Sequence, residues 1–140
     1  MSAIVEFEDA DGQLVRYVHH ANGGGLVSPR ARARVHEAAK IASTAYVEAG
    51  VQVGEGSRIC AGSWLDRDVV VGQDVVVAGN VHLGPRTRAE DGTWIGTGAR
   101  VGSDVVITRG ARVAPDAVVP DAAVVRRRVG SGRSEFGIAA

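Results

Sequence analysis

Every sixth residue from Val35 to Val125 is aliphatic, and the phase never breaks. The series runs Val35, Ile41, Val47, Val53, Ile59, Leu65, Val71, Val77 and Leu83. It continues through the smaller Ala89 to Ile95, Val101, Ile107, Val113, Val119 and Val125. A second column, four residues after each of these, holds small or β-branched residues, among them Ala45, Val51, Ser57, Ser63, Thr87, Thr93 and Ala111. Six is a multiple of the strand period of two, so both columns stay on one face of a strand. On a helix, positions six apart point in different directions. A fixed period over most of a chain marks a repeat architecture. Three short strands and three turns close one coil, and coils stack at the inter-strand spacing. The pattern therefore predicts an all-β chain built as a single-stranded parallel β-helix of about five coils, roughly 25 Å tall, over residues 29–125. Turn pairs such as Glu55-Gly56, Arg109-Gly110 and Pro115-Asp116 fall between the strands.

The flanks read differently. Ala3–Phe7 and Gln13–Val18 surround the turn residues Asp9 to Gly12, a β-hairpin pattern. A β-helix exposes a strand edge at each end. The hairpin, with the Gly-rich stretch His19–Val27, is expected to cap the first coil as an N-terminal segment of residues 1–28. The glycines Gly23, Gly24 and Gly25 permit close backbone approach, but the stretch lacks the Lys-Ser/Thr continuation of a phosphate loop. Residues 126–140 form a C-terminal tail, and Gly130–Ala140 is expected to be mobile or to reach across a neighbour.

The stretches Val53-Gly-Glu-Gly-Ser-Arg-Ile59, Val71-Gly-Gln-Asp-Val-Val-Val77 and Ile95-Gly-Thr-Gly-Ala-Arg-Val101 repeat aliphatic, Gly, two variable residues, small, variable. This pattern resembles the hexapeptide-repeat superfamily of left-handed parallel β-helices, over roughly residues 29–125. The resemblance implies a left-handed helix and a homotrimer with sites in the clefts between prisms. It also implies, for many members, acyl transfer from coenzyme A by a histidine base. The chain departs from those transferases in having no excursion loop between repeats and no C-terminal helix pattern.

Composition narrows the choices. Acids and bases balance at sixteen each, for a formal net charge of zero. Nothing pulls the chain toward nucleic acid or a membrane surface, and Arg126–Arg128 is too short a basic run to change that. No apolar run approaches a membrane span. The lone Cys60 and the lack of a signal-peptide pattern fit a cytoplasmic protein.

Residues eighteen apart stack vertically, so outward ladders can be read directly. One face stacks Tyr46, Trp64, His82, Arg100 and Val118, beside Glu48, Asp66, Gly84, Gly102 and Pro120. A histidine is a usual general base near neutral pH. Asp66 is placed to orient His82, and these two are the candidate catalytic residues. Trp64, Tyr46, Arg100 and the turn residue Asn80 are the candidate substrate-binding residues around them. Trp94 stands on a second face and joins the set if that face meets the first across a subunit boundary. The same aromatics fit a plain subunit interface, since interfaces are enriched in Trp, Tyr and Arg.

Three functions follow. The first is a small-molecule enzyme with inter-subunit sites, above all a coenzyme-A-dependent acyltransferase. It would take acetyl-CoA or another acyl-CoA as co-substrate, with phosphates met by Arg100, Arg112 or Arg126–Arg128, and no bound cofactor is expected. The second is a non-catalytic trimeric scaffold or binding module. The third is a coenzyme-A-independent cyclase, isomerase or lyase using His82, Asp66, Glu48 or Tyr46. No metal site is expected. A zinc centre like that of the γ-class carbonic anhydrases needs three histidines, and the repeats offer His36 and His82 on different faces.

Overall fold

The computed structural model describes residues 4–29 and 34–128, and the backbone of residues 136–137. The chain is a parallel β-solenoid of about five turns, and no α-helix occurs among the described residues. Its strands are two residues long in the repeats and sort into three sheets. An eight-stranded sheet carries β1 (Ile4–Glu8), β2 (Leu14–His19) and β3 (Leu26–Val27). It continues through the strands at Tyr46–Val47, Trp64–Leu65, His82–Leu83, Arg100–Val101 and Val118–Val119. A five-stranded sheet runs from Lys40–Ile41 to Arg112–Val113, and a six-stranded sheet holds Gln52–Val53 through Val124–Val125 with Phe136–Gly137 at its end. Partners in the repeats are eighteen residues apart throughout, as in Trp64↔His82 and Val76↔Trp94.

The two inward columns form the core. Ile41, Leu65, Leu83, Ile95 and Ile107 are fully buried, and so are Ala45, Val51, Val69, Val75 and Ala99. From Val47 to Val119 each hexad then turns the chain through a residue with positive φ, three places after the large inward one. The series runs without a gap from Gly50 through Asp68, Asp74 and Asn80 to Asp116 and Ala122. Glycine adopts this region freely, and Asn or Asp at modest strain. That requirement explains why Gly, Asp and Asn recur there. Arg86 (φ 63°) and Ala122 (φ 62°) meet it without such help.

Four hydroxyls stand in the small inward column. Ser57, Ser63 and Thr87 each donate to the carbonyl of a turn in the next coil, at 2.6, 2.6 and 2.7 Å to Gly72, Ala78 and Gly102. Each also accepts from the amide three residues past that carbonyl, on Val75, Val81 and Val105. The hydroxyl thereby inserts into a turn bond that other coils close directly. The fourth, Thr93, faces a turn that is already closed, because the Ala111 amide donates to the Thr108 carbonyl at 2.9 Å. Its buried hydroxyl has no partner among the described residues.

The hairpin and Gly-rich stretch cap the first coil. The Gly25 amide donates to the Ile41 carbonyl and the Ile41 amide to Asn22. A His20 ring nitrogen lies 2.7 Å from the Ala39 carbonyl oxygen. Parallel stacking begins earlier than the sequence suggests: Leu26–Val27, inside the expected cap, already pairs in register with Tyr46–Val47. At the other end most of Gly130–Ala140 lies outside the described residues. The backbone of Phe136–Gly137 pairs antiparallel with Val124–Val125 of its own chain, so this part of the tail folds back rather than reaching outward.

Candidate active site

The eight-stranded sheet presents the predicted ladder in register: Tyr46↔Trp64, Trp64↔His82, His82↔Arg100 and Arg100↔Val118. The Trp64 and His82 rings stack with centroids 4.4 Å apart and planes 18° from parallel. Beside them, one place past each large inward residue, stand Glu48 and Asp66. Each acid reaches the ring nitrogen of the aromatic in the next coil. Trp64 Nε1 donates to Glu48 Oε2 at 2.7 Å, and His82 Nε2 lies 3.2 Å from Asp66 Oδ2. An ionised carboxylate only accepts, so Nε2 carries the proton of a neutral ring. Nδ1 is left with the free lone pair.

The acid column then stops. Its next members are Gly84 and Gly102, at positions where the coils touch closely. A Cβ on Gly84 would lie 2.5 Å from the Gly102 carbonyl oxygen. Because no side chains rise from these two residues, an open groove of about 700 Å³ lies past His82. It is walled by Arg100, Pro85, Val118 and Pro120. His82 stands at the groove's edge with its side chain about one-third exposed, while Asp66 behind it is 17% exposed. His82 and Arg100 line this groove, while Asp66 and Trp64 stand outside it, the one bonded to the imidazole and the other stacked on it.

The other candidates fall into different roles. Tyr46 joins an aromatic cluster under the hairpin, 5.5 Å from Tyr17 and 6.4 Å from Phe7. Asn80 occupies a left-handed turn (φ 58°) and is exposed. Trp94 lies on the five-stranded sheet, with the Arg112 guanidinium 5.4 Å from its ring centroid, so within one chain it does not meet the His82 ladder. Arg127 borders a separate hollow of about 350 Å³ with Asp91 and Arg109. Among the described residues, no group of three or more His, Cys, Asp or Glu gathers as a metal site. No helix there is long and apolar enough to cross a membrane.

Tyr17 is the participant that sequence reasoning missed. It is 7% exposed, and its hydroxyl donates to both Glu48 oxygens, at 2.9 and 3.1 Å. Burial, then the Glu48 charge, pushes the phenol above its ordinary value near 10. Tyr17 sits on an antiparallel strand, where stepping by eighteen does not apply. Alternation along β2 would have placed it on the same face as His19, without revealing its partner.

Fold and repeats together define a hexapeptide-repeat β-solenoid. No family model matches the chain, and no curated protein matches it. Solved structures do. The acetyltransferase domain of PglB from Neisseria gonorrhoeae FA1090, in complex with acetyl coenzyme A, matches with a TM-score of 0.63. The identity is 23%, over 72% of this chain and 53% of that one. A second structure of the same domain matches at 0.59 and 24%, with the same coverage. The chain thus spans about half the length of these solved chains, and the likeness is one of fold.

Proposed function

We propose that the protein is an acyltransferase that uses an acyl-CoA, acetyl-CoA above all, with His82 as general base. The observation that carries this reading is the His82–Asp66 pair stacked on Trp64 at the edge of an open groove. The likeness in fold to an acetyltransferase domain supports it by analogy. An amine or hydroxyl of a small-molecule acceptor would attack the thioester carbonyl carbon and pass its proton to Nδ1 of His82. The carbon–sulfur bond then breaks, and the departing thiolate takes that proton back. Asp66 holds the imidazole through Nε2 and faces the charge that forms on it. Arg100 meets the phosphates or the developing oxyanion, and Trp64 backs the imidazole from the preceding coil.

In this reading the working form is a cytoplasmic homotrimer. The Trp94–Arg112 face of one subunit closes the Trp64–His82 face of the next, so that Trp94 joins the binding residues across the cleft. Asn80 and Tyr46 shape the turn and the floor beside the site. Release of free thiol from acetyl-CoA, measured with a panel of amines and alcohols, tests the proposal. His82→Ala should lower the rate by about 10²–10⁴-fold with the fold intact, and Asp66→Asn by less.

A second reading, a non-catalytic trimeric scaffold, is favoured by one feature. Trp64 is 42% exposed and Val118 70% exposed on the same face, a surface suited to burial by a subunit. A trimer that releases no thiol with any acceptor would select it.

A further inference from the structure

We propose that Tyr17, Glu48 and Trp64 are positioning residues that set the plane of the His82 ring, making the N-terminal hairpin part of the site. The inference rests on the reading of His82 as the base. The bond from Nε2 to Asp66 fixes one atom of the imidazole at 3.2 Å but leaves the ring free to tilt about it. The stack on Trp64, 18° from parallel, fixes the tilt and so the direction of the Nδ1 lone pair.

Trp64 must itself be held for this to work, and packing alone does not hold it, since it is 42% exposed. Its anchor is the bond from Nε1 to Glu48 at 2.7 Å. Glu48 in turn takes the Tyr17 hydroxyl on both oxygens. Tyr17 is buried on β2, wedged edge-on between Phe7 and Tyr46. A continuous path therefore runs from the cap to the imidazole through one phenol, one carboxylate and one indole. A general base that drifts from its line of attack loses much of its effect, because reacting atoms must be aligned.

The test reads Trp64 and the reaction separately. In a Trp94→Phe background Trp64 is the sole tryptophan, and a ring stacked on the indole alters its emission lifetime. His82→Ala in that background should shift the lifetime, and the difference measures the stack. Glu48→Ala should abolish that difference. Glu48→Gln, which keeps an acceptor for Nε1, should restore it, and Tyr17→Phe should reduce it. Thiol-release kinetics are measured with Trp94 retained. There Glu48→Ala should lower kcat by about tenfold with KM little changed, as loss of alignment predicts.

A lifetime difference that survives Glu48→Ala and Tyr17→Phe would overturn the network. If Glu48→Ala fails to fold, Tyr17→Phe decides by the same criterion. A lost lifetime difference in a protein that transfers no acyl group keeps the network and refutes the base reading. Acyl transfer at an unchanged kcat in Glu48→Ala, with the lifetime difference intact, does the reverse.

Discussion

Thr87 and Thr93 occupy the same inward column one hexad apart, yet replacing each with valine should move stability in opposite directions. Thr87 donates to the Gly102 carbonyl at 2.7 Å and accepts from the Val105 amide at 3.2 Å. Valine removes both bonds. The carbonyl and amide it abandons can close on each other, as the Thr108 carbonyl and Ala111 amide do one hexad further on. The loss should therefore stay near the lower end for a buried hydrogen-bonding group, about 1 kcal/mol. Thr93 is 1% exposed and its hydroxyl has no partner among the described residues. Valine keeps its shape and removes a desolvated polar atom, which should gain about 1–2 kcal/mol. The two variants should thus differ by about 2–3 kcal/mol, a separation of several degrees in melting temperature for a chain of this size. Reversible denaturant unfolding, with thermal unfolding alongside, reads the difference. If Thr93→Val proves as destabilising as Thr87→Val, the account of inserted and excluded hydroxyls is wrong.

Other predictions follow from the turns and the cap. Ala122→Gly should stabilise by about 0.5–1 kcal/mol in the same unfolding assay, because it relieves a non-glycine residue at φ 62°. Gly84→Ala should destabilise by about 1–3 kcal/mol, since the new Cβ must displace the Gly102 carbonyl 2.5 Å away. It should also weaken substrate binding by raising the groove floor. The Tyr17 phenol is raised above its ordinary value near 10 by burial and by Glu48. Its contribution is therefore complete below the unfolded-state value and is lost as pH climbs above it. Unfolding followed from pH 8 to 12 should show stability falling above about pH 10, and Tyr17→Phe should flatten that fall.

The repeat made most of the architecture readable. Val35 to Val125 at a step of six located the strands, and a step of eighteen put Trp64, His82 and Arg100 in one ladder, as the pairing confirms. That arithmetic works because a two-residue strand repeated in register leaves one outward position per turn of the chain. It fails where the register is antiparallel, so Tyr17 was not visible as the partner of Glu48. It also gives positions rather than bonds. The two acid-to-ring contacts, Glu48 to Trp64 and Asp66 to His82, span sixteen residues, because each acid reaches diagonally into the next coil. The Arg112 guanidinium over Trp94 depends on rotamers that a ladder does not specify. The backfolded strand Phe136–Gly137 sits in a polar, Gly-containing tail with no periodic signal at all.

Calorimetric titration of the protein with acetyl-CoA, repeated on Arg100→Ala and His82→Ala, tests acyl transfer on the His82 face most directly. The account predicts binding in the micromolar range, weakened by Arg100→Ala and retained by His82→Ala, which removes the base but leaves the groove. Absence of binding at millimolar acetyl-CoA would contradict it and leave the Trp64–His82 face as a surface for assembly or for a different ligand.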